Sequence, residues 1–409
     1  MTAVSPSRVL AVDGGMPVRA RPVSGWPRFD GDDLASVREV LLSGRVNYWT
    51  GEHGRLFEAE FARWAGARHG VAVGNGTLAL ELALAALGIG PGDDVVVPAA
   101  TFIATASAVA ARGATPVVAD VSLGHRCLTP ASIEAALTPR TRAVVVVHLA
   151  GYPVDMPPIV RLARAHGLRV VEDCAQAHGA RRHGRMVGTD GDIAAWSFCQ
   201  DKIITTAGEG GAVTTDDEDL WRRVWEAKDH GKSHAEVFAG TRSPGFRWVH
   251  DSFGTNARMT EIQAVVGRNQ LRKVDGWLAA RRAHADALRE ALADLPALAL
   301  PDEPPGARHA WYRFTPRVRP AELAPGWDRD RFVAAVAAEG VPCQQGGCTE
   351  IHRERAFDRI RPRHPLPAAA ELGRTAFALL THPTLTDEEI RDTAEAVRKV
   401  ASAATRDER

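Results

Sequence analysis

The stretch TRAVVVVHLA, Thr141 to Ala150, contains four consecutive valines and then a histidine. An apolar run that does not alternate with polar residues is typical of a strand buried on both faces of a sheet. Similar runs occur on either side of it: HGVAVGN, DDVVVPAA, TPVVADV, LRVVEDCA and IAAWSFC. The intervening stretches TLALELALAALG and PPIVRLARAHG fit crossover helices that stop at a glycine. The pattern therefore predicts an α/β domain with a mostly parallel sheet sandwiched by helices.

The composition changes after the last of these runs. The stretch ARMTEIQAVVGRNQLRKVDGWLAARRAHADALREALADL has long helical periodicity, and the proline-rich LALPDEPPGARHA follows it. We predict an N-terminal segment over residues 1–35 and a large α/β domain over 36–256. Residues 257–409 are predicted to form a long helix and a smaller C-terminal α+β domain.

Composition excludes several classes of function. The chain has 409 residues, and its 50 basic and 50 acidic residues give a formal net charge of +0, so no basic surplus favours nucleic acid or an anionic membrane. No apolar run approaches the roughly 18 residues of a membrane span, and the opening lacks a signal-peptide pattern, so we expect a cytoplasmic protein. The five cysteines are expected to be reduced, and PCQQGGC is interpreted as loop packing rather than a metal site.

One stretch holds a single lysine among apolar, hydroxylated and glycine residues: SFCQDKIITTAGEGG, Ser197 to Gly211. The Lys202 side chain either extends its charge to water or is held where desolvation lowers the pKa of the amine. In the second case the amine is a nucleophile. The stretch alone leaves both possibilities open.

Four features lie at predicted strand ends, where ligands bind in an open α/β sheet. In GNGTLALELAL a glycine turn opens a helix at Thr77, and such a helix start can bind a phosphate. Asp173 ends one buried run, Phe102 follows another, and Ser197 lies five positions before Lys202. Together they provide a phosphate cradle, an aromatic plate, an acid for a ring nitrogen and an amine. This is the set of groups that pyridoxal 5′-phosphate (PLP) needs.

The motifs EDCAQAHGA, SFCQDKIITTAGEGGAVTT, KDHGK and FGTNARMTEIQA carry a family resemblance. Their order and spacing are similar to those of the DegT/DnrJ type of PLP-dependent aminotransferases, the nucleotide-sugar aminotransferases of the aspartate-aminotransferase fold (fold type I). The resemblance extends from NYWTG near residue 47 to LTHPTLTDEEI near residue 390. It implies a PLP-dependent transaminase.

The resemblance implies eight cofactor contacts, with Lys202 and Asp173 catalytic. The contacts are Gly76, Thr77, Phe102, Asp173, Gln176, Ser197, Lys202 and Asn256. By analogy Lys202 binds the cofactor covalently, Asp173 meets the pyridine nitrogen and Gln176 lies near the phenolic oxygen. Phe102 takes the position of the stacking aromatic residue.

The other contacts are implied for the phosphate group. Gly76, Thr77 and Ser197 would hold it within one subunit, and Asn256 would reach the phosphate of the neighbouring subunit. The resemblance therefore implies a homodimer with shared active sites. The sequence departs from the expected pattern at Ala207, where a glycine would be usual.

Six further residues are candidates for substrate contacts. They are Asn47, Tyr48, His148, His230, His309 and Tyr312. Burial in the core is an equally good interpretation for Tyr48 and His148 from the sequence alone, and His230, His309 and Tyr312 could simply pack.

The resemblance implies transfer of an amino group from L-glutamate or L-glutamine to a nucleotide-linked keto-sugar, as in amino-sugar, antibiotic or polysaccharide biosynthesis. The alternative acceptor is a cyclitol ketone, or the substrate of an enzyme similar to 3-amino-5-hydroxybenzoate synthase. A remote alternative is a regulator with the PLP fold, but the roughly 35 residues before the aminotransferase-like part are too few for a DNA-binding domain.

Overall fold

The valine-rich runs become strands of one seven-stranded sheet. The structure, a computed structural model, describes residues 9–238 and 249–406. Its strands are β1 (His69–Val73), β2 (Asp94–Pro98), β3 (Thr115–Ala119), β4 (Thr141–Val147), β5 (Arg169–Asp173), β6 (Arg181–Arg182), β7 (Arg185–Met186), β8 (Ile193–Ser197), β9 (Gly211–Thr215), β10 (Leu298–Ala299), β11 (Ala307–Arg308), β12 (Arg317–Val318), β13 (Cys343–Gln345) and β14 (Phe377–Leu379).

The strand order in the large sheet is β1-β9-β8-β5-β4-β2-β3. Strands β3, β2, β4, β5 and β8 are mutually parallel along this order, whereas β9 runs antiparallel to both β8 and β1. The predicted mostly parallel α/β sheet is thus confirmed. The sequence reasoning missed β9, since its five residues, GAVTT, follow a glycine turn and end in two threonines.

Helices flank the large sheet and also build much of the C-terminal part of the chain. They are α1 (Gly31–Ser43), α2 (His53–Ala65), α3 (Gly76–Ala86), α4 (Ala104–Ala111), α5 (Pro130–Ala136), α6 (Met156–Ala165), α7 (Glu218–Lys228), α8 (His234–Phe238), α9 (Glu261–Leu292), α10 (Arg329–Ala338), α11 (Pro367–Thr375) and α12 (Asp387–Ala404).

The valines of β4 explain why the run is continuous. Val145 belongs to the hydrophobic cluster that includes α3, α4 and α7, whereas Val144 and Val146 belong to the cluster formed with α5 and α6. Successive side chains of a strand point to opposite faces, so a sheet covered on both faces needs apolar residues at every position. The continuous apolar run is therefore explained by two core layers, one on each face of the sheet.

Helix α9 leads from the sheet to the C-terminal part of the chain. Its start is capped by Thr260, whose hydroxyl accepts a hydrogen bond from the Gln263 amide. In turn, the Gln263 side chain accepts a hydrogen bond from the Thr260 amide. Beyond it, α10, α12, β13 and β14 share a separate hydrophobic cluster with the end of α9. The buried Leu10 belongs to the same cluster, so the described N-terminal residues pack against the C-terminal part.

No helix among the described residues combines the length and the apolar character needed to span a membrane. The chain's five cysteines are all free thiols.

Candidate active site

A cavity of about 730 Å³ lies where β5 and β8 end beside the start of α3. Seven of the eight predicted cofactor contacts line it: Gly76, Thr77, Phe102, Asp173, Gln176, Ser197 and Lys202. Tyr312 also lines it. Asn256 is exposed and does not line this cavity of its own chain among the described residues.

The start of α3 presents two backbone N–H groups without a partner in the described part of the chain. The first four N–H groups of a helix have no partner within it. Here the Asn75 side chain accepts one of them, from the Leu78 amide at 3.0 Å, and the regular helical bonds begin with the Ala79 amide, which donates to the Asn75 carbonyl at 3.2 Å. The N–H groups of Gly76 and Thr77 remain, at the positive end of the helix dipole. This is an anion-binding arrangement.

Gly76 also sets how closely the helix approaches the sheet. A Cβ atom at this position would lie 2.6 Å from the Ser197 Cβ and 2.9 Å from its Oγ. Distances this short do not occur between real side chains, so a substitution would force either the first turn of α3 or Ser197 to shift. The missing side chain at Gly76 therefore lets the Ser197 hydroxyl lie close to the start of α3.

Asp173 is a buried carboxylate at the end of β5, with 5% of its surface exposed. One oxygen accepts from the Thr105 hydroxyl at 2.9 Å, and the other accepts from the Ala175 amide at 3.1 Å. Burial raises the pKa of Asp173 despite these two bonds. A cation brought against this carboxylate would restore its charged form.

The Gln176 side chain has a defined orientation. Its oxygen accepts from the Ala150 amide at 2.8 Å, which fixes which end of the amide is the NH2 group. That NH2 group has no acceptor among the described residues and is free to donate to a ligand in the cavity. Phe102 is 63% exposed, which is unusual for a large apolar side chain at a strand end and leaves its ring available for stacking.

Lys202 differs from the other lysines of the chain. The chain has five lysines, and four of them donate a hydrogen bond to a carboxylate. These pairs, at 2.8 to 3.0 Å, are Lys228 with Glu58, Lys232 with Asp229, Lys273 with Asp33 and Lys399 with Glu339. Lys202 donates instead to the Tyr312 hydroxyl at 3.5 Å, and its carboxylate contact, to Asp201, is 3.7 Å long.

The sequence left open whether desolvation lowers the pKa of Lys202. Burial does act in that direction, but Tyr312 and Asp201 outweigh it and the pKa of the Lys202 amine is raised. The amine is therefore protonated in the absence of a covalent partner. Its charge is balanced locally and does not reach bulk water, because only 15% of the side chain is exposed.

The structure does not bring His148 to the cavity. Its ring is fully buried, Nδ1 accepts from the Val154 amide at 3.1 Å, and Nε2 therefore donates to Glu172 at 2.9 Å. Glu172 also accepts from the amides of Gly188, Asp190 and Gly191. The pair thus fixes the loop that contains Gly188, Asp190 and Gly191. Its hydrogen bond explains why His148 and Glu172 lie close together, and Cys174 is near them because it follows Glu172 by two positions.

Tyr48 and His309 are also core residues. Tyr48 is 2% exposed, its hydroxyl donates to Glu58 at 3.0 Å, and the Lys228 amine lies 4.0 Å from its ring centre. The His309 ring stacks on Trp311 at 3.9 Å, and its Nδ1 accepts from the Trp311 amide at 2.8 Å. Neither side chain lines the cavity in the described structure.

Asn47 and His230 are exposed and stand apart from the cavity. The Asn47 side chain accepts from the Trp49 amide at 3.0 Å, as in a turn. His230 adopts a left-handed backbone conformation with φ of 62°. Of the six substrate candidates, only Tyr312 lines the cavity among the described residues.

A second cavity of about 210 Å³ adjoins the first and shares Thr101, Phe102, Gln176, Asp201 and Tyr312 with it. Arg126 and Arg313 line it together with Gln344 and Gln345. Arg126 is 4% exposed, donates to the carbonyls of Thr315 and Pro316, and has no carboxylate partner in the described chain. Burial lowers the pKa of Arg126 to about 9. This second cavity is suited to an anionic or carbonyl-rich group.

Three residues of the site escaped the sequence reasoning. Thr105 orients Asp173, Asp201 contacts the Lys202 amine, and the Trp26 indole donates to the Lys202 carbonyl at 2.9 Å. Asp201 had a signal in the sequence, because an acid directly precedes the single lysine of that stretch. Trp26 and Thr105 had none, since their contacts join positions 176 and 68 residues apart.

Comparison with known proteins places the chain in a family. The model described as the DegT/DnrJ/EryC1/StrS aminotransferase family matches residues 27–398. UDP-N-acetyl-3-dehydro-alpha-D-glucosamine 3-aminotransferase of Acidithiobacillus ferrooxidans is 39% identical over 372 residues, covering 90% of this chain and 95% of that protein. The dTDP-3-amino-3,4,6-trideoxy-alpha-D-glucose transaminase of Streptomyces venezuelae is 38% identical over 368 residues, covering 90% and 91%.

The solved structures agree. The X-ray structure of the aminotransferase from Psychrobacter cryohalolentis superimposes with a TM-score of 0.92 at 50% sequence identity, and the match covers 94% of this chain and 100% of that one. Sequence, fold and cavity thus lead to one assignment, and the chain belongs to the DegT/DnrJ/EryC1/StrS aminotransferase family.

Proposed function

We propose that the protein is a PLP-dependent aminotransferase that moves an amino group from L-glutamate or L-glutamine to the keto group of a nucleotide-linked sugar. The observation that carries this proposal is the lining of the larger cavity. It combines a buried carboxylate with a lysine that has no hydrogen-bonded carboxylate, and a helix start with two N–H groups that have no partner, among the residues that the structure describes.

The residues of the cavity fit PLP. The unpaired N–H groups of Gly76 and Thr77, beside the Ser197 hydroxyl, suit a phosphate. Asp173 is buried with a raised pKa, and a protonated ring nitrogen would supply the cation that its charged form needs. The exposed ring of Phe102 suits stacking. Each group that the cofactor would present therefore has a complementary partner in the cavity.

PLP supplies an electrophilic aldehyde carbon and a ring that withdraws electrons from the reacting carbon. Lys202 would attach to that aldehyde and, once released, carry protons to and from the substrate. Asp173 would keep the ring nitrogen protonated, and Thr105 would hold Asp173 in orientation. The Gln176 NH2 group would donate to the ring oxygen.

The acceptor proposal draws on the relatives and on the second cavity. The two relatives described above are named as aminotransferases of a UDP-linked and a dTDP-linked sugar. In the second cavity, Arg126 and Arg313 offer cationic donors beside the glutamines, and Asp201 and Tyr312 are shared with the cavity that holds Lys202. The net charge of the chain is +0, so local donors of this kind would have to hold an anionic substrate.

We further propose a homodimer with shared active sites. Asn256 lies at the surface, bridged by its backbone to Asp229, and the neighbouring Phe253 is 106% exposed. Trp49 is 36% exposed and donates to the same Asp229 at 2.7 Å. An exposed apolar side chain beside polar groups fits a surface that a second subunit covers.

The test starts from the enzyme in its pyridoxamine form. Stopped-flow absorbance should record faster reoxidation of the cofactor by a dTDP-, GDP- or UDP-linked keto-sugar than by the same sugar without its nucleotide, because remote binding energy is used at the reacting carbon. A preference for scyllo-inosose or another ketone without a carrier would assign the protein to the cyclitol class. In the PLP form of the enzyme, borohydride reduction and peptide mapping should find the pyridoxyl group on Lys202, and a label on another of the five lysines would refute the site.

A further inference from the structure

Asp201 joins three groups at the mouth of the larger cavity. Its Oδ1 lies 3.7 Å from the Lys202 amine, and its Oδ2 lies 3.5 Å from an Arg313 guanidinium nitrogen. The same Oδ2 accepts a hydrogen bond from the Tyr312 hydroxyl. The two oxygens of one carboxylate are thus divided, one facing the lysine and the other facing the groups that hold the carboxylate.

Tyr312 completes the surroundings of the amine. Its hydroxyl is 3.5 Å from the Lys202 nitrogen and its ring centre is 5.0 Å away. The backbone of Tyr312 is itself fixed, since its amide donates to the Ala150 carbonyl at 3.0 Å and its carbonyl accepts from Arg281 at 3.4 Å. The phenol and the carboxylate are therefore both held by other groups of the chain on the side that the Lys202 amine contacts.

We propose that Asp201 is a positioning residue for Lys202, and that its carboxylate, held by Tyr312 and Arg313, is the point to which the lysine ammonium docks whenever it is not attached to the cofactor. The inference rests on the proposed covalent role of Lys202. It adds a residue whose task is to hold the released amine near the reacting atoms.

The physical reason is the cost of a released ammonium. A free lysine amine near neutral pH is protonated, and a partly buried ammonium without a partner is unfavourable. Burial alone would raise the pKa of Asp201, but Lys202, Tyr312 and Arg313 lower it, so the carboxylate stays charged. Asp201 therefore offers a charge without exchanging a proton itself. Docking keeps the amine within reach of its next reaction.

Other titratable or charged groups face the same amine or its partners Asp201 and Tyr312, and they must be kept constant in a test. They are Cys199 on the same loop, Asp173 at the end of β5, His178 after that strand, Arg313 beside Tyr312, and Arg281 on α9. Asp201→Asn leaves all of them in place. The asparagine oxygen can still accept from Tyr312, so the substitution removes charge with little change of shape.

The experiment uses the full chain reconstituted with pyridoxamine 5′-phosphate, which has no aldehyde and leaves the Lys202 amine free. Limited acetylation with acetic anhydride between pH 7 and 11, followed by mass spectrometry, gives the labelling rate of Lys202 relative to Lys232. We expect the rate in Asp201→Asn at pH 8 to exceed that of the wild type about tenfold, which corresponds to a fall of one unit in the pKa of the amine. Asp201→Glu, which restores the charge, should return the rate towards the wild type.

Glu209→Gln is the matched control, because it removes one negative charge from the lining of the same cavity. Its Lys202 labelling rate should stay within twofold of the wild type. An unchanged rate in Asp201→Asn would overturn the inference, and so would an equal increase in Glu209→Gln. A borohydride label on another lysine would instead refute the proposed function, so the two failures are distinguishable.

Discussion

The indole N–H of Trp26 donates to the backbone carbonyl of Lys202 over 2.9 Å. The Trp26 ring makes an edge-to-face contact with Trp277 on α9, with ring centres 5.1 Å apart, and lies nearly parallel to the His382 ring at 6.5 Å. A residue of the N-terminal stretch therefore links the backbone of the candidate cofactor lysine to the C-terminal part of the chain.

Trp26→Phe should weaken the cofactor site more than the fold. Phenylalanine keeps an aromatic ring but removes the donor to the Lys202 carbonyl, a loss of about 1 kcal/mol for one hydrogen bond. We expect several-fold weaker PLP binding in fluorescence titrations. Trp277→Phe is the control, because it also shortens an indole without removing a bond to the lysine loop. Equal losses in both variants would show that aromatic packing alone is responsible.

Asp173→Asn should impair turnover through charge. The variant keeps the size but removes the carboxylate that would keep the ring nitrogen protonated, so we expect a loss on the order of 2 to 4 kcal/mol, or about 30- to 1,000-fold, in kcat/KM. Single-turnover absorbance with L-glutamate measures it. Thr105→Val, which removes one hydrogen bond to the same carboxylate, should cost about tenfold or less. Near-normal turnover in Asp173→Asn would mean that another group protonates the ring.

Ala207→Gly should stabilise the protein slightly. Ala207 has φ of 64°, a left-handed conformation that costs a residue with a Cβ roughly 1 to 2 kcal/mol. Glycine avoids this cost, but it also increases the conformational entropy of the unfolded chain, which lowers the stability by about 0.4 to 1 kcal/mol. The net gain should be about 0.5 kcal/mol in urea unfolding. Ala135→Gly on the exposed face of α5 should instead destabilise by about 0.5 to 1 kcal/mol. Destabilisation by both variants would contradict the strain at Ala207.

Acid should destabilise the fold through His309. Burial lowers the pKa of His309 to about 3, whereas an unfolded histidine titrates near about 6.5. Between these two pKa values the unfolded chain binds a proton at this histidine and the folded chain does not. The contribution of neutral His309 to the free energy of unfolding is therefore complete above about pH 6.5 and is lost as the pH falls towards 3. Near pH 5 the loss is on the order of 2 kcal/mol.

Urea unfolding at pH 7.5 and pH 5 measures this effect. His309→Asn is the useful variant, because the asparagine oxygen can accept from the Trp311 amide as Nδ1 does but does not titrate. The variant should lose less stability than the wild type between the two pH values. His178, whose pKa burial also lowers to about 3, remains in both proteins as the background. Parallel pH dependence in the two proteins would contradict the prediction.

Asn256 should act across the dimer interface. Mixing inactive Lys202→Ala protein with inactive Asn256→Ala protein should restore part of the activity, because one of the two sites in a heterodimer would then be intact. Native mass spectrometry measures subunit exchange in the same mixture. If exchange occurs and activity stays absent, Asn256 acts within its own chain.

Local pattern accounts for most of what the sequence could predict. The β4 valines belong to two core layers, one on each face of the sheet. Because a strand between two such layers needs an apolar residue at every position, the uninterrupted apolar run was enough to predict the sheet. The strand ends then brought Asp173 and Lys202 to one cavity, as expected for an open α/β sheet.

Long-range contacts account for what it could not predict. His148 follows a strand end, as the site residues do, but its ring is buried and hydrogen-bonded to Glu172 on β5, a partner 24 positions away. For Tyr48 the sequence left a substrate contact and core burial equally open, and Lys228 from α7 covers its ring. Thr105 reaches Asp173 from a helix that showed no sign of function. Strand β9 was missed because its pairing with β1 and β8, rather than its composition, makes it a strand.

The first turn of α3 lies close to the sheet because Gly76 and Gly211, which face each other's surroundings there, have no side chains. A Cβ at Gly211 would lie 2.4 Å from the Asn75 carbonyl oxygen, just as one at Gly76 would meet Ser197. Only the hydrogen atoms of these two glycines therefore separate the helix from the sheet at this joint, and no residue is smaller than glycine. The joint can only be widened by mutation, never tightened, and widening it would loosen the helix tip and the anion cradle in one movement. Directed evolution of this enzyme would consequently find no gradual path for tuning cofactor affinity at these two positions, and would have to reach it through residues that line the other walls of the cavity.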